Sequence, residues 1–467
     1  MLFPTLTFGL FFLLVYALAW GLKASNEWRK IALLLASWFF YAGWDPRFVA
    51  LLIASGLLNW GAARLIAAEG RAKARKAWLA VGIAINLTIL GFFKYYGFFM
   101  EQLEQALHAL DWQRDLAIMQ VILPVGISFF TFQGMSYVID VYRRKAEPAS
   151  LLDMTLLMSF FPHLVAGPIV RASHLIPQFQ RVPELSRGMA ATGLSLIVWG
   201  LFKKAVIASE LATGLVDPVF ADPSAFSGID LAAAAYGYAV QIYCDFSAYS
   251  DMAIGLAALL GYRFPHNFNQ PYRAASLQDF WRRWHISLSS WLRDYLYVSL
   301  GGSRHGLVRL CLALMATMLL GGLWHGASWN FVIWGALHGG VLAGERLWRE
   351  FRPKPWLPLP HWVRVAATFH IVLLGWIFFR AESFADALAF LGGLGASGAP
   401  ALLTPLLLAL IVLGMSFHHF PPFTIQRVAI RVRAMPALPV GLAAGFLILI
   451  VDAMRPEGVA PFIYYQF

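Results

Sequence analysis

Long apolar runs, separated by short stretches that hold most of the Lys and Arg, set the pattern of this chain. Runs long enough to cross a bilayer, or nearly so, cover residues 2–22, 30–44, 48–67, 78–98, 117–141, 151–169, 189–209, 231–260, 307–324, 327–344, 361–380, 401–417 and 437–454. A helical crossing takes roughly 20 apolar residues, so the pattern predicts an all-α, polytopic integral membrane protein with about 11–13 transmembrane or re-entrant helices. Runs shorter than about 18 residues are expected to be re-entrant or half-helices, which a bilayer tolerates where protein or a water-filled cavity covers the loose backbone. Apolar character on nearly every face fits membrane helices packed through their small residues. The first run contains Ala17-Leu18-Ala19, a loose imitation of a signal-peptidase site, but it lacks a basic leader and reads as a retained span. With no internal repeat or long linker, one integral domain over 1–467 is expected, and the stretch at 351–360 reads as a short loop.

Composition sharpens the class. Apolar residues are 59% of the 467 and charged residues 13%, against roughly 45–50% and about 25% in soluble domains. A soluble enzyme is excluded. The 36 basic and 25 acidic residues leave a net charge of +11, which favours anionic lipid head groups or a polyanionic substrate. Nucleic acid is a poor partner, because the basic residues are spread between apolar spans and form no single solvated surface. The clusters Lys23/Arg29/Lys30, Arg71 to Lys76, Arg143-Arg144-Lys145, Arg282-Arg283 with Arg304 and Arg309, Arg346 to Lys354, and Arg427 to Arg433 are assigned to the cytoplasmic face. Segment 101–115 holds only Arg114, and 216–230 holds no Lys or Arg. The N-terminus is therefore expected outside, and 142–189 and 309–346 each become a hairpin or a re-entrant dip. Cys244 and Cys311 lie in apolar contexts without ligand spacing, so both read as core residues and imply neither a disulfide nor a metal site.

Chemistry concentrates between residues 245 and 338. In 278–300, Phe280, Trp284, Leu288, Trp291, Leu292 and Tyr295 share one helical stripe while Arg282, Ser289 and Arg293 share another, predicting an amphipathic helix at the cytoplasmic interface. His285 sits at the edge of the apolar stripe, where its imidazole either faces a cavity or belongs to a plain interfacial anchor. His325 follows about 16 residues after Arg309 and about 21 before Arg346, which puts a titratable group deep in the membrane, where by default it lines a polar pathway. Desolvation favours the neutral imidazole, which can act as a general base. Gly321, Gly322 and Gly326 would permit close approach to its backbone. A core histidine bonded to a carbonyl is the plainer alternative. His338 is nearly in phase with His325 if one helix connects them, and a structural role suits it at least as well. His163, in a Pro/Gly-broken segment, lines a substrate tunnel or marks a helix break. The carboxylates of Asp245 and Asp251 need partners, for which Arg273, Arg282 or Arg283 would serve, making them framework. No phosphate-binding loop or Gly-x-Ser-x-Gly elbow is present, so ATP-driven transport and serine hydrolysis have no support. Secondary transport, an exporter of acyl groups or glycans without bond chemistry, stays open on composition.

Five motifs occur in this order between residues 245 and 330: Asp245-Phe-Ser-Ala-Tyr-Ser-Asp-Met-Ala-Ile-Gly255, Phe264-Pro-His-Asn-Phe-Asn-Gln-Pro-Tyr272, Asp279-Phe-Trp-Arg-Arg-Trp-His-Ile-Ser-Leu-Ser-Ser-Trp-Leu-Arg-Asp-Tyr295, Leu300-Gly-Gly-Ser-Arg304 and Gly322-Leu-Trp-His-Gly-Ala-Ser-Trp-Asn330. Together they resemble the membrane-bound O-acyltransferase family, in particular its bacterial branch that acetylates alginate and related exopolysaccharides. Phe39 to Asp45 and Phe129 to Tyr137 resemble that branch too, and His266 is a departure from it. The resemblance implies a helical dish around a central tunnel, with a motif-bearing core at about 120–345. It places the family's near-invariant histidine on His325 and the second active-site residue on His285.

The function so implied is transfer of an acetyl group from cytoplasmic acetyl-CoA, as co-substrate, to an exported polysaccharide hydroxyl or to a periplasmic partner transferase, at the bacterial inner membrane and without a metal. The D-alanyl branch, which serves teichoic-acid-type acceptors from a carrier protein, shares the Trp-Arg-Arg-Trp-His and Trp-His-Gly elements and is the runner-up. A sugar hydroxyl is too weak an acid to attack a thioester unaided, so a base such as His325 is expected to contribute about 10²- to 10⁴-fold. His285, Asn330 and backbone amides beside Gly326 are candidate oxyanion donors, and Trp324, Ser289 and His163 candidate tunnel residues. Arg282, Arg283, Arg293 and Arg304 are expected to hold the phosphates of coenzyme A.

Overall fold

The structure, a computed structural model, describes residues 3–112, 116, 118–165, 167–351, 359–421 and 424–454. Most of the loop at 351–360, with Lys354, lies outside them. The regular elements among the described residues are all helices. Six are long and apolar enough to cross a membrane: Arg47–Ala68, Ala72–Ala109, Arg187–Ala221, Gly306–His325, His361–Arg380 and Ala437–Met454. Leu6–Gly21, Phe384–Gly393 and Pro405–His419 are shorter and apolar. The chain is a multi-pass helical membrane protein.

Apolar runs and helices do not map one to one. Runs 78–98 and 189–209 extend into helical stretches of 38 and 35 residues, the first carried through a π turn at Gly91–Tyr95 and the second through two, at Lys203–Ala208 and Ala212–Val216. Run 151–169 instead breaks into Leu151–Ser159 and Phe161–Leu164. The break falls at Phe160, φ −57 and ψ 106, and Pro162 just beyond it has no N–H to bond back into the preceding helix. At nine residues, Leu151–Ser159 spans roughly 14 Å at about 1.5 Å per residue, far short of a crossing.

The chain packs as two compact units, Met1–Leu185 with Leu259–Phe264, and Ser186–Ala258 with Pro265–Phe467. In the first unit, two residues read from the sequence as cytoplasmic loop charges are buried. Arg29 is 0% exposed inside the Asn26–Ala42 helix, and its guanidinium donates to the carbonyls of Ala19 and Leu260 and to the Tyr262 hydroxyl. Lys30 pairs with Asp153 at 2.8 Å and Glu27 at 2.7 Å. A buried charge is tolerated when it is paired and hydrogen-bonded, so both residues are framework, and only Lys23 of that cluster is an exposed charge.

In the second unit, Gly306–His325 and Trp329–Phe351 form an antiparallel hairpin, one of the two forms expected for 309–346. Its backbones approach through glycine: a Cβ on Gly335 would lie 2.5 Å from the Met318 carbonyl oxygen, and one on Gly322 would meet the Phe331 carbonyl. Small residues at such crossings are how membrane helices gain contact when lipid offers no hydrophobic driving force. The 32-residue helix Gly228–Leu259 carries Asp245 and Asp251. Their partners are not the arginines expected from the sequence. Lys204 pairs with Asp245 at 2.9 Å and Lys203 with Asp251 at 2.7 Å, both lysines coming from the π turn that extends Arg187–Phe202.

Candidate active site

The amphipathic helix expected over 278–300 is three pieces: Leu277–Arg283, Ile286–Trp291 and a π turn at Leu292–Tyr297. The break falls at His285, whose backbone is left-handed at φ 42, ψ 55. That conformation costs a residue with a Cβ roughly 1–2 kcal/mol and persists only where the surroundings over-determine it, as functional sites do. Side-chain periodicity could not reveal it, because the apolar stripe survives the break: Phe280, Trp284, Leu288, Trp291, Leu292 and Tyr295 are all buried.

A short splint holds the break. The Ile286 N–H donates to the Asn267 carbonyl and the Asn269 N–H to the Arg283 carbonyl, each at 2.9 Å. The Asn267 side chain reaches the histidine itself, with Oδ1 3.2 Å from His285 Nδ1. His285 is 0% exposed, and the Phe246 ring stands edge-on to it at 4.6 Å.

His325 is the last residue of the first hairpin helix and is 4% exposed. Its ring packs against Trp324, Trp334 and Phe379 at 5.0, 5.1 and 5.1 Å. The Trp324 indole also lies 6.3 Å from His285. The fold thus brings both histidines, 40 positions apart in sequence, onto one tryptophan. His338 belongs to the same aromatic cluster through Trp334, at 4.6 Å, and its Nδ1 accepts from Trp281 Nε1 at 3.2 Å. It is not on one helix with His325, since the chain turns between Gly326 and Ser328. Gly326 itself faces the Phe331 ring, where a Cβ would collide.

The other expected site residues divide. Asn330 donates its amide to the Ala381 carbonyl at 2.8 Å, so it ties the hairpin turn to the end of His361–Arg380 and spends one of its two N–H groups there. Ser289 donates to the Trp284 carbonyl at 3.0 Å and steadies the helix break. Arg283 is held by Asp279 at 2.9 Å and Arg293 by Asp294 at 2.7 Å. Arg282 and Arg304 are exposed, and neither has an ion-pair partner among the described residues. His163 belongs to the other unit, 3% exposed, with its ring near Phe160 and Phe264 at 5.9 and 5.4 Å. Among the described residues no cluster of His, Cys, Asp or Glu could hold a metal ion.

Sequence reasoning missed Asn267, Lys203 and Lys204. The two adjacent lysines inside an apolar run were a legible signal, since buried charges require partners and Asp245 and Asp251 lacked them. Asn267 stands within one of the quoted motifs, but nothing in its spacing pointed to His285, 18 positions on.

Residues 25–384 match the MBOAT, membrane-bound O-acyltransferase, family. The chain belongs to that family. It is 44% identical over 361 residues to a probable alginate O-acetylase of Azotobacter vinelandii, covering 76% of this chain and 70% of the relative. A Pseudomonas aeruginosa protein with the same description is 43% identical over 387 residues, 82% and 72% of the two chains. A peptidoglycan O-acetyltransferase of Helicobacter pylori is 38% identical over 392 residues, 78% and 73%. Membership makes this protein an enzyme, a membrane O-acyltransferase with O-acetyltransferases among its relatives. Three of the five motifs fall, in the second unit, on the hairpin, the broken helix and the helix Gly228–Leu259 that presents Phe246 to His285.

Proposed function

We propose that this enzyme moves an acetyl group from acetyl-CoA at the cytoplasmic face of the inner membrane to a hydroxyl of an exported polysaccharide, directly or through a periplasmic partner transferase, with its N-terminus outside. The observation that carries the reading is the pair of buried histidines, His285 and His325, packed against Trp324. In this scheme a neutral His325 takes the proton of the acceptor hydroxyl as its oxygen attacks the thioester carbonyl. The carbon–sulfur bond then breaks, and the thiolate recovers the proton from the imidazolium to leave as the free thiol. The surrounding indoles and phenyl rings exclude the water that would otherwise hydrolyse the thioester. The acetylated glycans named for its relatives favour acetyl over D-alanyl transfer.

Purified protein with labelled acetyl-CoA and no membrane gradient tests this. Release of free coenzyme A or labelling of a glycan or partner acceptor is expected, and neither would occur in an exporter. A D-alanyl transferase would respond only to its charged carrier protein, so both donors belong in the same assay.

Among the four arginines expected at the donor, Arg282 and Arg304 have no carboxylate partner among the described residues to compete with a phosphate. Arg282→Glu with Arg304→Glu is expected to raise KM for acetyl-CoA about tenfold, roughly 1.4 kcal/mol of lost binding, while kcat changes less. Steady-state kinetics at low and high salt check it. An unchanged KM would remove the cluster from the donor site.

A further inference from the structure

We infer that Asn267 is a positioning residue that locks neutral His285 in its Nδ1–H tautomer, so that His285 enters the reaction as a hydrogen-bond or proton acceptor through Nε2. The inference rests on the proposed part of His285 in acyl transfer and assigns its role within it.

The orientation of the Asn267 amide is decided by its neighbours. Oδ1 lies 3.1 Å from the backbone N–H of Ser287, a group that can only donate. The amide oxygen, not its nitrogen, must therefore face that side. On the other side Nδ2 donates to Ser250 Oγ at 3.0 Å, and flipping the amide would bring its NH2 against the Ser287 N–H. The same Oδ1 is 3.2 Å from His285 Nδ1. An amide oxygen has no hydrogen to give, so a productive contact requires Nδ1 to carry the proton. The Ser287 hydroxyl does not reverse this. It lies 2.8 Å from Oδ1 and 3.5 Å from Nδ1, and its proton goes to the nearer oxygen.

Two further features make the arrangement rigid. Asn267, Ser250 and His285 are 1%, 1% and 0% exposed, so water is not on hand to replace any partner. The backbone bond from Ile286 to Asn267 fixes the separation of the two side chains at the left-handed turn. A second group that sets tautomer and ring orientation is the usual means of readying a histidine for proton transfer. One expectation changes with it. A neutral imidazole protonated on Nδ1 has no hydrogen on Nε2, so His285 is not the oxyanion donor that the sequence made it a candidate for. That duty passes to other donors, among which the backbone amides beside Gly326 are the nearest to His325 in sequence.

The test uses the full-length protein in lipid bilayers, labelled with 15N-histidine, the His285 signals being assigned by their loss in His285→Asn. Asparagine tolerates the left-handed backbone, so that variant preserves the turn. In wild type, solid-state NMR should show His285 protonated on Nδ1 and bare on Nε2. A signal protonated on Nε2 would overturn the inference whatever the activity. With acetyl-CoA as donor, Asn267→Leu is expected to cut kcat about 10²-fold or more, since a wrong tautomer has cost a catalytic histidine as much as about 10⁴, with KM nearly unchanged. Asn267→Asp, which restores an oxygen opposite Nδ1, is expected to recover most of that loss. Equal losses in the Leu and Asp variants, or wild-type kcat in Asn267→Leu, would reduce Asn267 to packing. Full activity in His285→Asn would fail the reading of His285 itself, and the NMR result would stand separately from it.

Discussion

Replacing His325 with alanine is expected to abolish acetyl transfer, a loss of about 10²- to 10⁴-fold, the contribution of a general base. The effect should appear in kcat, because in the proposed mechanism the imidazole acts on the hydroxyl proton only as the carbon–oxygen bond forms. Truncation also opens space among Trp324, Trp334 and Phe379, and voids of that kind cost stability as well. His325→Gln separates the two effects, since it fills much of the volume and keeps polar contacts but cannot take the proton. Both variants should be inactive, and the glutamine form should match wild type in yield and melting temperature. Wild-type turnover by purified His325→Gln would remove this histidine from the chemistry.

The second large effect is on stability. Lys204 and Asp245 have side chains only 1% and 3% exposed, so the two charges are buried as a pair. Removing one partner of such a pair costs about 3–5 kcal/mol, whereas replacing both by apolar residues of similar size can be neutral. Lys204→Met should therefore lower the melting temperature in detergent clearly, and Lys204→Met with Asp245→Leu should restore most of it. Tryptophan fluorescence during heating reads both. Losses that simply add would mean the two charges are solvated independently. Activity is expected to follow stability, because Asp245 adjoins Phe246, the residue packed against His285.

Much of the fold was legible because a bilayer permits few solutions. Backbone groups in lipid must be satisfied within the segment, so apolar runs had to be helices, and the charges at 309 and 346 left a hairpin or a re-entrant dip, between which the structure chose the hairpin. The histidines of the candidate site were legible for a related reason: an ionisable group in an apolar run is costly and needs a purpose. Where the reading slipped, it treated charge as a marker of loops. Arg29 and Lys30 looked like loop residues flanking a span, yet they are buried and partnered by groups distant in sequence, Tyr262 and Asp153. No local pattern announces such partners.

The sequence by itself determined the class of the molecule, its helical construction, the motifs of its family and the two histidines that deserve mutation, because hydropathy, charge and motif spacing are properties of residue order. Only the tertiary structure decided that His285 sits at a left-handed break in the expected amphipathic helix, that it shares Trp324 with His325, that lysines and not arginines neutralise Asp245 and Asp251, and that the Asn267 amide oxygen lies against His285. Each of those depends on a backbone angle or on atoms brought within about 3–6 Å from separate helices, distances over which hydrogen bonds and ring contacts act and which no spacing along the chain encodes.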